Sequence, residues 1–170
     1  MTGASRSRAA SGIWPTSTNR RIRNVHGNFY TYVVGLTHYF SDRKTRGIFD
    51  DIVIRDVFCG KVFSPENIGY YSRTNYPTIW VEGAVDVGKL VIDNFNRDER
   101  NIDVSTIRVD SAALVHNLIL RDSSFINRLD RPVALFDIRG RVEKAMIENL
   151  DFLPTADAWK NRTLQTERRE

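Results

Sequence analysis

The 170 residues are 41% hydrophobic and 27% charged, which suffices for one ordinary domain with tails and excludes two well-built ones. Three Trp, nine Phe and six Tyr exclude a disordered chain, because that much aromatic surface can offset the ordering entropy of a core. The net charge of +4 comes from arginines near the ends, Arg6, Arg8, Arg20, Arg21 and Arg23 at one and Arg162, Arg168 and Arg169 at the other, so the body is close to neutral and nucleic-acid binding is not expected.

Residues 1–18 are rich in Ser, Ala and Arg and lack an apolar stretch, which reads as a flexible N-terminal segment and not a secretory signal. No run approaches membrane-span length, so a soluble chain with no membrane partner is expected; its compartment is not indicated. Cys59 stands alone, which rules out an internal disulfide and a multi-cysteine zinc site and marks it as a small buried hydrophobe.

From residue 19 to 153 one pattern recurs: Arg21-Ile22-Arg23-Asn24-Val25, Val53-Ile54-Arg55-Asp56-Val57, Val91-Ile92-Asp93-Asn94-Phe95, Ile119-Leu120-Arg121-Asp122-Ser123 and Met146-Ile147-Glu148-Asn149-Leu150. The frame is apolar, exposed, Asn or Asp, then usually apolar. Ile22, Ile54, Ile92, Leu120 and Ile147 are separated by 32, 38, 28 and 27 residues, the range of stacked-repeat architectures. Ile79, Val81, Val85 and Val87 lead into one copy and Ile107, Val109, Ala113 and Val115 into the next, alternating as one-sided strands require. The period of two, with Val, Ile and Thr among charged residues, predicts two or three short strands per repeat, each paired in parallel with its counterpart in the next. The fold class expected is therefore all-β, a single-stranded parallel β-helix of about five coils. Asn24, Asp56, Asn94, Asp122 and Asn149 are expected to be its bends, since Asn and Asp tolerate the left-handed conformation.

The longest excursion runs from about Gly60 to Pro77 and carries Tyr70, Tyr71 and Tyr76, where recognition is expected because solenoid insertions gather on the binding face. Residues 154–170 read as a cap and polar tail covering the last coil.

The repeat grammar over residues 19 to 153 resembles the pectin-lyase-like superfamily of right-handed parallel β-helices, which includes polygalacturonase-type glycoside hydrolases, polysaccharide lyases and phage tailspikes. The phrases that carry it are Phe49-Asp50-Asp51-Ile52-Val53-Ile54-Arg55-Asp56-Val57 and Val115-His116-Asn117-Leu118-Ile119-Leu120-Arg121-Asp122-Ser123. Ile22-Arg23-Asn24-Val25-His26-Gly27 followed by Val33-Val34-Gly35-Leu36-Thr37 is similar to a coil that carries a paired Asp in polygalacturonase-like members, but Tyr30-Thr31-Tyr32 stands there instead. The family's Asn-Thr-Asp, Gly-His-Gly and Arg-Ile-Lys elements have no match. Five coils at ~4.8 Å give a stack of about 24 Å, short for the family, so a degenerate protein or a portion of a longer one is expected.

The same alignment puts Val81, Val109 and Phe136 at one inward position and thereby lines up Glu82, Asp110 and Asp137 on an outer face. Neighbouring carboxylates would be roughly 5 Å apart and alternate ones roughly 10 Å, which brackets retaining and inverting glycosidase pairs. These are the candidate catalytic acid and base; solvated charges neutralised by Arg139 or Arg141, or a calcium site, are the competing readings. Trp80 and Arg108 should share that face as a sugar platform and an anion fork, with Tyr70, Tyr71 and Tyr76 as further substrate contacts. Asp50-Asp51 reads as a turn pair, and His26, His38 and His116 as packing or hydrogen-bonding residues. No phosphate loop, nucleophile elbow or zinc helix occurs, so no cofactor or metal is expected. The resemblance implies a carbohydrate-active β-helix that binds or cleaves a polysaccharide. Its alternative is a non-catalytic spacer or adhesive β-helix, for which a homotrimer is the expected assembly.

Overall fold

The computed structural model describes residues 19–37, 46–62, 76–100 and 104–154. The expectations placed on residues 1–18, on His38, on Tyr70 and Tyr71 and on the cap after residue 154 lie outside them. Nine strands and no helix are present among the described residues, and hence no helix long and apolar enough to cross a membrane.

Long and short strands alternate along the chain. The long ones are β1 (Arg20–Phe29), β3 (Gly47–Lys61), β5 (Val85–Glu99), β7 (Leu114–Asn127) and β9 (Arg141–Pro154); the short ones are β2 (Val34–Leu36), β4 (Ile79–Val81), β6 (Ile107–Val109) and β8 (Phe136–Ile138). The long strands form one sheet in the order β1-β3-β5-β7-β9 and the short ones a second, β2-β4-β6-β8, with every recorded neighbour parallel. Each long strand crosses to a short one and back, so the molecule is a parallel β-solenoid of about four turns plus a closing strand.

The long-sheet register is the one the repeats predict: Ile22, Ile54, Ile92, Leu120 and Ile147 form one row. The three middle members are fully buried. Fifteen residues can form one strand because each long strand turns in its middle at an Asn or Asp in the left-handed region, Asn24 at φ 55°, Asp56 at 56°, Asn94 at 50°, Asp122 at 48° and Asn149 at 51°. An L-residue with a larger side chain would be strained there, whereas a short polar side chain bonds locally. Here the bonds also run between coils: the Asn94 amide donates to Asp56 at 2.8 Å and the Asn149 amide to Asp122 at 3.0 Å. Alternation of Asn with Asp gives each such contact one donor and one acceptor.

Asp50-Asp51 is not a turn pair. Both lie within β3, where Asp51 pairs with Lys89, although the ladder skips Asp50 and its counterparts Gly88, His116 and Glu143. Beyond that interruption the β-branched Ile52, Val53, Ile54 and Val57 pair with both neighbouring strands and carry β3 onward.

The inward rows of the two sheets close on each other as one apolar core, with Ile79, Val81, Val85, Val87, Leu90, Phe95, Ile107, Val109 and Val115 fully buried. Cys59 packs in it, and burial pushes its thiol up to about 12, as expected of a small hydrophobe. Turns of different length join short strand to long: residues 110–113 link β6 to β7, whereas only 139–140 link β8 to β9. Gly140 makes the tight turn feasible, because a Cβ there would strike the Ala113 carbonyl oxygen at 2.6 Å.

Candidate functional site

The short sheet presents one outward residue per strand, and these form a row: Gly35, Trp80, Arg108 and Asp137. Trp80 and Arg108 share a face as expected. Asp137 does not align with Glu82 and Asp110; it sits opposite Arg108, and Phe136 faces Ile107 in place of Val109. Counting back from the long strands with a constant turn makes Phe136 the partner of Val109. The two-residue turn slides β8 by two positions instead, and a slide of two preserves which side chains point inward. Arg139 takes the place equivalent to Asp110: the amides of Asp110 and Arg139 donate to the Val81 and Val109 carbonyls in turn, at 3.0 and 2.9 Å.

This slide turns the expected carboxylate column into an ion-pair cluster. Arg108 Nε donates to Asp137 Oδ2 at 2.8 Å, and Arg139 grips the same carboxylate through Nε and Nη2 at 3.0 and 2.8 Å. The Arg139 hydrogen bonds, with Arg108 behind them, outweigh partial burial and hold the Asp137 carboxyl below its ordinary range. A general acid needs the opposite shift, so Asp137 is built to remain ionised. Asp110 Oδ2 accepts the Trp80 indole N–H at 2.7 Å, which fixes the tilt of that ring. Glu82 occupies the turn after β4, one coil from Asp110, with its amide bonded to the Leu36 carbonyl at 3.0 Å. Among the described residues no group of three His, Cys, Asp or Glu side chains is arranged to hold a metal ion.

Beside the ion pairs lies an aromatic cluster. Trp80 is 5.1 Å from Tyr76 and 5.8 Å from Tyr32 between ring centroids, and the two tyrosines meet edge to face at 5.9 Å. All three rings are half-buried. Tyr32 covers Gly35, where a Cβ would lie 2.5 Å from its ring, so glycine in β2 is what lets the tyrosine lie flat on the sheet. Trp80 was expected on this face and Tyr76 in the recognition loop; Tyr32 was expected in neither, because it lies in the link between β1 and β2 rather than in a strand.

A second polar group is hidden in the stack. In the second half of each long strand the inward rows are Gly27, Cys59, Arg97, Phe125 and Phe152, and Phe29, Lys61, Glu99 and Asn127. Lys61, Arg97 and Glu99 are at most 2% exposed. Arg97 bonds Glu99 Oε2 at 2.6 Å and also donates to the Val104 carbonyl and Thr106 hydroxyl at 3.0 and 2.9 Å. Lys61 Nζ donates to the Thr31 carbonyl at 2.8 Å and to the Tyr76 carbonyl, lying also over the Phe29 ring. Burial lowers the Lys61 ammonium to about 8, with Arg97 pushing the same way. Through those two carbonyls Lys61 ties the segments that carry Tyr32 and Tyr76, and so positions the aromatic cluster from inside.

The two described histidines behave as packing and hydrogen-bonding residues: His26 stacks on Phe58 at 5.2 Å, and His116 Nδ1 lies 2.8 Å from Glu143.

No protein-family model, curated protein or solved structure matches this chain. The parallel solenoid and its surface are therefore the ground for a functional reading.

Proposed function

We propose that this chain is a glycan-binding β-helix of the pectin-lyase-like kind, with the outer face of the short sheet as its binding surface and no catalysis at the three carboxylates. The observation that carries the reading is the Tyr32–Tyr76–Trp80 cluster beside the Arg108–Asp137–Arg139 ion pairs. Half-buried aromatic rings with fixed tilt give an apolar platform for sugar C–H faces, and arginines at its rim bond hydroxyls or carboxylates. Asp137 held ionised between two arginines and Asp110 committed to the indole weigh against an acid–base pair. In this reading the stack is a rigid mount for the platform, in line with a spacer or adhesive role.

The test is affinity electrophoresis and calorimetry against a panel of neutral and acidic polysaccharides, with reducing ends assayed in parallel. At least one glycan should bind, Trp80→Ala should weaken it about tenfold, equivalent to about 1.4 kcal/mol, and no reducing ends should appear. Binding unaffected by Trp80→Ala, or no binding at all, overturns the proposal. Release of products that stops in Asp110→Asn would restore the catalytic reading.

A further inference from the structure

Among the described residues β9 pairs with β7 on one side and with no strand on the other. Ile147 and Phe152 sit in interior rows yet are 49% and 57% exposed, while Ile92 and Leu120 in the row of Ile147 are fully buried. Met146, Leu153 and Ile138 are exposed beside them. At the other end, β1 offers the same rows, with Ile22, Val25 and Phe29 only partly covered.

The charges of these two edges differ in a way that names an occupant. In β1 the charged side chains are Arg20, Arg21 and Arg23, joined by His26, with no acid. In β9 the residues in the rows of Arg23 and His26 are Glu148 and Asp151. The first of these rows reads Arg23, Arg55, Asp93, Arg121, Glu148 up the stack. Its interior already works by alternation, since Asp93 bonds Arg55 at 2.9 Å on one side and Arg121 at 3.0 Å on the other. Despite burial, those two guanidiniums hold the Asp93 carboxyl below its ordinary range.

We propose that copies of this chain dock head to tail, the β1 edge of one pairing in parallel with the β9 edge of the next. In the register of the stack, Arg23 then meets Glu148 and extends the Asp93–Arg121–Glu148 alternation by one step, His26 meets Asp151, Ile22 covers Ile147 and Val25 covers Leu150. Asn24 falls on Asn149, so the left-handed bends coincide and the two angled strands match in shape. The contact is heterologous, its two surfaces being different, and it stacks copies along the axis of the solenoid, so assembly is open-ended and does not close at a dimer. It does not depend on the glycan-binding reading.

Sedimentation velocity of the full chain over a range of concentrations tests this. The mean mass should climb continuously with concentration and fall with added salt. Arg23→Glu and Glu148→Arg should each lose assembly while keeping wild-type circular dichroism, since both side chains are exposed, and an equimolar mixture of the two variants should regain it. A single monomeric species at every concentration overturns the proposal, as does a closed dimer or trimer indifferent to Arg23→Glu. Assembly that appears only when residues 155–170 are removed also overturns it, because the chain's own tail would then be the occupant of the β9 edge.

Discussion

The two sheets are built from the same coils but obey different rules. Along the long sheet, ten- to fifteen-residue strands keep one register from β1 to β9 and bend at the same Asn or Asp each time. Along the short sheet, three-residue strands are placed by turns of unequal length, and the outward row changes character at every step, from Gly35 under an aromatic ring to Trp80, Arg108 and Asp137. The long sheet acts as a frame, because each added residue of pairing makes a register slip more costly. A strand of three residues carries little such penalty, so turns and side chains decide where it sits, and that freedom is where a surface specific to this chain could form.

That contrast is breakable at its joint, the buried Arg97–Glu99 pair at the end of β5. Glu99→Ala should destabilise the fold by about 3 kcal/mol or more in urea unfolding, because a buried guanidinium loses its partner, whereas Arg97→Met with Glu99→Leu should lie within about 1 kcal/mol of the parent. A small loss in the single variant would mean that the interior there is wet and that the long sheet is a weaker frame than described.

Lys61 supplies a pH test of the same joint. Its folded pKa of about 8 lies below the ordinary lysine value, so the unfolded chain binds more protons between the two and stability rises with pH across that window. The gain should be on the order of 2 to 3 kcal/mol between pH 8 and pH 10.5, and Lys61→Met should flatten the slope.

A smaller effect separates bend from ladder. Asn94→Ala should cost about 1–2 kcal/mol, since alanine resists the left-handed conformation and the bond to Asp56 is lost, while Asn94→Gly should cost less. Equal losses would assign the value of the position to its hydrogen bond alone. On the short sheet, Asp137→Asn should lower the unfolding free energy by less than about 1 kcal/mol, as befits a carboxylate a quarter exposed to water with Arg139 more than half exposed. A loss as large as that of Asn94→Ala would show that the short sheet helps hold the frame.

Much of this was legible in the chain itself. The row of Ile22, Ile54, Ile92, Leu120 and Ile147 could be read by overlaying one motif, and the buried Arg97 and Glu99 were readable too: alternation from Phe95 places both inward, beside Cys59 and Lys61 of the preceding coil. A charged pair at inward positions is easily passed over when strand ends are taken to be solvated. Asp137 was not legible, because its position depends on a turn two residues shorter than its predecessor, and constant spacing within the long strands gives no sign of that. Tyr32 was hidden for a similar reason, its placement resting on the bare surface of Gly35 across a link with no periodicity.

The fold class, the parallel pairing and the left-handed bends were determined by the sequence alone, because each depends on local backbone preference and on likeness between neighbouring coils. Only the tertiary structure decided that Asp137 leaves the carboxylate column and lies between two arginines, and that Tyr32, Tyr76 and Trp80 meet. Those contacts are set by turn length and by side chains reaching across coils, and neither leaves a periodic mark on the chain.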